Sequence, residues 1–138
     1  MALPSPARRP WWRRWFGTRS EWAAARFLTG LGYRIIARNY LCPVGEIDLI
    51  ARDGNCIVFV EVRSTGNDDV ERPALSVDAS KQRRVTDAAL HFLSKHRLLN
   101  TPARFDVLAL RWPSGASKPA IVHYREAFEP AGRFQMFS

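Results

Sequence analysis

Two short segments set acids among aliphatic and aromatic residues: Gly45-Glu46-Ile47-Asp48-Leu49-Ile50 and Val58-Phe59-Val60-Glu61-Val62-Arg63. A carboxylate in apolar surroundings is costly unless it is paired or bound to a cation, so these acids are the first place to look for chemistry. Strand side chains alternate between faces, which groups Glu46 with Asp48 and Glu61 with Arg63. Between the segments lies Asp53-Gly54-Asn55, a hairpin signal. A two-residue Gly54-Asn55 turn sets Asp48 opposite Glu61, and a two-residue Asp53-Gly54 turn sets Glu46 there instead. Both keep the carboxylates on one face, whereas a three-residue turn would part them. Two carboxylates about 5 Å apart repel each other unless a cation lies between them, and oxygen ligands of this kind suit Mg²⁺ or Mn²⁺. The alternative is ordinary ion pairing with the chain's many arginines, and the pattern leaves both open.

The elements that must position these acids read as follows. Trp22, Ala25, Phe27 and Leu28 lead to Gly30 and Gly32, predicting a first helix over Glu21 to Leu31 with Ser20 as its cap. Tyr33 to Tyr40 reads as a strand, followed by a turn at Cys42 to Gly45, a strand over Glu46 to Arg52, and another over Cys56 to Arg63. Ser64 to Val77 has loop composition. Asp78 or Ser80 can cap a second helix reaching about Arg97, with Val85, Ala88, Ala89, Phe92 and Leu93 on its apolar side. Strands are predicted over Arg104 to Trp112 and Ala120 to Arg125. The order α-β-β-β-α-β-β implies an α/β fold, a mixed central sheet flanked by helices. Residues 1–18 are rich in Pro, Arg and Trp and read as a flexible basic arm; 19–130 form the domain, and 131–138 a tail.

The chain has 138 residues, 46% hydrophobic, a size at which packing alone can hold one domain together. Its net charge of +8, carried by 18 Arg and 3 Lys against 13 acids, favours a polyanionic partner, nucleic acid foremost. No apolar run approaches the roughly 20 residues of a membrane span, and the N-terminus lacks a signal-peptide core, so a cytoplasmic protein with reduced Cys42 and Cys56 is expected. Attachment of residues 8–16 to a lipid surface is a weaker expectation. His91, His96 and His123 lack metal-ligand spacing with the cysteines. The chain has no phosphate-binding loop, dinucleotide fingerprint or nucleophile elbow, which argues against those chemistries.

The two acid segments, together with Lys81-Gln82-Arg83-Arg84 and Arg104-Phe105-Asp106-Val107, resemble the YraN-like bacterial proteins over about residues 20–128. That family is similar to the PD-(D/E)XK nucleases and to archaeal Holliday-junction resolvases. The resemblance implies a restriction-endonuclease-like fold and metal-dependent hydrolysis of structured or branched DNA. It implies that Asp48 and Glu61 hold the metal, that Glu21 completes the site, and that Arg63 stands where the E-x-K motif has lysine. Arginine keeps its proton and cannot serve as a general base, so a DNA-binding module without turnover is the alternative expectation. Arg26, Arg38, Arg83 and Arg84 are the expected phosphate contacts, with Lys81 and Gln82 receiving phosphate at the start of the second helix. A homodimer is expected only by analogy. Asp106 reads as a structural acid.

Overall fold

The computed structural model describes residues 11–65 and 78–130. The chain runs α1 (Trp11–Gly30), β1 (Arg34–Cys42), β2 (Gly45–Asp53), β3 (Cys56–Thr65), α2 (Ala79–Lys95), β4 (Ala103–Arg111) and β5 (Ala120–Tyr124). This is the expected α/β order. Residues 1–10, 66–77 and 131–138 lie outside the described residues, and with them most of the expected arm, loop and tail.

Gly54 takes φ +62, a left-handed conformation open to glycine, and with Asn55 closes a two-residue turn that pairs Asp53 with Cys56. The register set there is the one that puts Asp48 towards Glu61. β1, β2 and β3 form an antiparallel meander. α2 then carries the chain across to β4, which lies parallel to β3, and β5 returns antiparallel to β4. The sheet order is β1-β2-β3-β4-β5.

Each face of the sheet is covered by one helix. On one face, Ala24, Ala25 and Leu28 of α1 pack with Leu49, Ala51, Val58, Val60, Leu108 and Leu110. On the other, Val85, Ala88, Ala89, Phe92 and Leu93 of α2 pack with Ile47, Ile50, Ile57, Phe59 and Phe105. The central strands are therefore buried on both sides, and this is why they read as nearly continuous apolar runs. Asp78 caps α2, its Oδ1 accepting from the Lys81 amide at 2.8 Å.

The start of the first helix differs from the sequence reading. α1 begins at Trp11, inside the segment expected to be an arm, so Ser20 is not a cap. Its hydroxyl is buried within the helix, where Ser20 Oγ donates to Ser64 Oγ at 2.9 Å and accepts from Trp112 Nε1 at 3.1 Å. Serine's capping preference yields here to partners far away in sequence.

Candidate active site

β2 and β3 pair as far as Leu49 and Val60, and one step further the register sets Asp48 against Glu61. At this step the two strands part. The Val62 amide donates to Asp48 Oδ2 at 2.8 Å, a side chain standing where a ladder carbonyl would otherwise be. The facing of β2 also changes phase: Leu49 packs on the α1 side and Ile47 on the α2 side. Asn39, between the paired Arg38–Leu49 and Tyr40–Ile47, takes φ +52, a left-handed conformation that asparagine tolerates. Strict alternation, which grouped Glu46 with Asp48, is broken at this point, and Asp48 is the acid brought to Glu61.

Both helices deliver charge to the same part of the sheet. Lys81, in the first turn of α2, places Nζ 2.9 Å from Glu61 Oε2. That approach depends on Gly45, where a Cβ would come within 2.5 Å of the Arg84 backbone oxygen, so α2 lies against the start of β2 only because no side chain intervenes. From α1, Glu21 is buried and close enough for its charge to act on Asp48. Burial, and then the charges of Glu61 and Glu21, push the Asp48 carboxyl well above the usual carboxylate range, against the opposing pull of the Val62 amide and Lys81. Asp48, Glu61 and Lys81, with Glu21 near enough to act on Asp48, thus lie around the middle of β3, where β2 leaves it.

Among the described residues, no three His, Cys, Asp or Glu side chains are gathered tightly enough to form a complete cation cage. The donor set nonetheless suits Mg²⁺ or Mn²⁺, because such ions commonly take one or two carboxylates and complete their shell with water and substrate phosphate. Asp48 and Glu61 are the residues that would hold the ion. Lys81 sits on Glu61 as a monovalent counter-charge. With its side chain 34% exposed, the pair contributes no more than about 1 kcal/mol to stability. Its position is therefore of interest chiefly for chemistry.

The other expected residues are distributed as follows. Arg63 lies two residues beyond Glu61 on the same strand, and the cation in contact with Glu61 is Lys81. At the start of α2, Asp78 accepts from the amides of Lys81, through Oδ1, and Gln82, through its carbonyl. Arg83 and Arg84 are exposed there, and Arg84 Nη1 donates to Ser80 Oγ at 3.2 Å. Arg26 is exposed on α1, and Arg38 of β1 lies over the Trp22 ring, 3.8 Å from its centroid. Asp106 is fully buried and held by Arg104, His123 and the Glu126 amide. Sequence reasoning missed the contact of Lys81 with Glu61 and the need for Gly45. The -Lys81-Gln82- start of a helix after the acid strand hinted at the first, but only the crossover geometry brings them together.

The molecule is thus an α/β/α sandwich with an acidic, lysine-capped cluster where β2 parts from the middle of β3. The sequence signature of "Uncharacterised protein family UPF0102" matches residues 20–110, from within α1 to β4, and the chain belongs to this YraN-like family. The UPF0102 protein of Geotalea uraniireducens is 46% identical over 115 residues, covering 83% of this chain and 90% of the relative. That of Geobacter sulfurreducens is 44% identical, covering 83% and 89%, and that of Rhodopirellula baltica is 43% identical over 119 residues, covering 84% and 71%. Among the described residues no helix is long and apolar enough to cross a membrane.

Proposed function

We propose that this protein is a divalent-metal-dependent endonuclease acting on structured or branched DNA. The observation that carries the reading is the convergence of Asp48 and Glu61 where β2 leaves β3, with Glu21 and Lys81 brought to them from opposite faces of the sheet. A bound Mg²⁺ or Mn²⁺ would supply an activated water at neutral pH and offset charge on the scissile phosphate.

The chain's own residues have separate tasks. Asp48, fixed by the Val62 amide, presents its free oxygen at a constant position. Lys81 supplies an ammonium beside Glu61, where it can orient water or a phosphate oxygen. Arg63 keeps its charge and serves phosphate binding. Arg38, Arg83 and Arg84 extend a basic surface for the DNA backbone, whose contribution weakens as salt rises.

Arg63 is also the observation that favours a second reading, a nucleic-acid-binding module that keeps the fold without turnover. Linear, single-stranded, flapped and four-way-junction DNAs incubated with the protein and Mg²⁺ or Mn²⁺ separate the two. The nuclease reading expects metal-dependent products that fall on the order of 100-fold in Asp48→Ala and roughly 10- to 100-fold in Lys81→Ala. Salt-sensitive binding with no products under either metal would establish the second reading instead.

A further inference from the structure

Glu21 has a neighbour that the acid cluster does not use. Trp22 is 50% exposed, unusual for the largest apolar side chain, and the Arg38 guanidinium lies 3.8 Å from its ring centroid. Both partners adjoin the site: Trp22 follows Glu21 on α1, and Arg38 pairs with Leu49, the residue after Asp48. The helix continues the pattern. Arg19, Trp22 and Arg26 are spaced to share one side of α1, and all three are exposed.

A second stack in the same helix shows what a purely structural arrangement looks like. Arg19 lies 3.6 Å from the ring centroid of Trp112, whose Nε1 is tied to Ser20 Oγ at 3.1 Å and which is only partly exposed. That tryptophan is anchored by its polar edge. Trp22 instead keeps half its surface in water, with a guanidinium on its ring and another exposed arginine one turn along the helix. An indole beside fixed positive charge offers a nucleotide two things at once, a π-face for the base and donors for the phosphate, and stacking of this sort tolerates any base. A paired base in a duplex is already stacked and has no free face to offer.

We infer that Trp22, backed by Arg38, is a stacking platform for an unpaired base of the DNA strand that enters the carboxylate site. The inference rests on the nuclease reading and narrows its substrates to DNA with single-stranded nucleotides next to the cut, such as flaps, gaps and open junction arms. Arg38 and Arg26 hold the flanking phosphates while the base lies on the indole.

The test is fluorescence-anisotropy titration of the full chain with a labelled single strand and with a blunt duplex of equal length, in chelator so that no cleavage intervenes. Trp22→Ala is expected to weaken single-strand binding by roughly 5- to 150-fold while leaving duplex binding unchanged, and Trp22→Phe to retain most of it. Unchanged single-strand affinity in Trp22→Ala, or an equal loss for both DNAs, overturns the platform. Cleavage by Asp48→Ala is measured alongside. If it is lost while Trp22→Ala behaves as wild type, the platform alone has failed. If products persist in Asp48→Ala, the site reading has failed, whatever Trp22 does.

Discussion

Asp106 and Asp48 are both acids set among apolar residues of the same sheet, and the fold treats them in opposite ways. Asp106 on β4 is fully buried and fully provided for: Arg104 Nε and Nη2 donate at 3.0 and 3.3 Å, the Glu126 amide at 3.0 Å, and His123 Nε2 lies at 2.8 Å. Arg104 ties this group onward to Asp53 at 3.2 Å and to the Tyr33 hydroxyl at 2.7 Å. Asp48 on β2 receives the Val62 amide and is surrounded by charges of its own sign on Glu61 and Glu21. One acid is completed by the protein. The other is left with a need that a cation or a proton must meet, and this separates a structural carboxylate from one available for chemistry.

The largest expected effect tests the completed side. Asp106→Ala leaves the Arg104 guanidinium without its principal partner in a buried position, a loss of about 3–5 kcal/mol in denaturant unfolding. Asp106→Asn, which keeps the shape and an acceptor, is expected to lose less. A wild-type unfolding midpoint in Asp106→Ala would remove the distinction between the two acids.

A middle-sized effect tests how the open side is assembled. Gly45→Ala forces a Cβ to within 2.5 Å of the Arg84 backbone oxygen, so α2 must move off the start of β2. Overpacking of this kind costs about 1–3 kcal/mol. Because Lys81 rides on the same helix, cleavage is expected to fall further than stability alone accounts for, while the Asp106 network keeps its contacts. Measuring unfolding and DNA cleavage on the same preparation checks this, and a variant with full activity and stability would show that Gly45 is incidental.

These two acids were not equally legible in the sequence. The seven elements follow from local signals: alternating or continuous β-branched runs, the Gly54-Asn55 turn, and the spacing of Val85, Ala88, Ala89, Phe92 and Leu93 on α2. The turn signal narrows the register without choosing it: Asp48 facing Glu61 is one of two same-face pairings left open, and the Gly54-Asn55 turn of the fold selects it. What local signals do not carry is contact across elements. Lys81 reaches Glu61 only because the β3–α2–β4 crossover folds back over the sheet and because Gly45 lets it approach. Ser20 looks like a cap until Ser64 and Trp112 come to it. The phase change at Asp48 depends on Asn39 in the neighbouring strand, which pattern reading of β2 alone does not consult.

The smallest effect is a matter of sign, and it sharpens the comparison most directly. Burial and the neighbouring carboxylates raise the Asp48 pKa in the folded protein above its unfolded value of about 3.9. At pH well below that value both states hold the proton and the group favours neither. As pH rises through it, the unfolded chain releases its proton first, the folded state binds more protons, and stability declines until the raised folded value is passed, after which the loss stays constant. Asp48→Asn retains an oxygen to accept from the Val62 amide and has no charge to release. In metal-free protein the variant is therefore expected to gain on wild type as pH rises from the acid range towards neutrality, a difference read from melting curves across that span. Mn²⁺ should narrow the gap by stabilising wild type alone, because only the carboxylate binds it in the folded state. Parallel pH profiles for the two proteins, with no response to Mn²⁺ in either, would mean that Asp48 is as well provided for as Asp106 and that the acid cluster is structural.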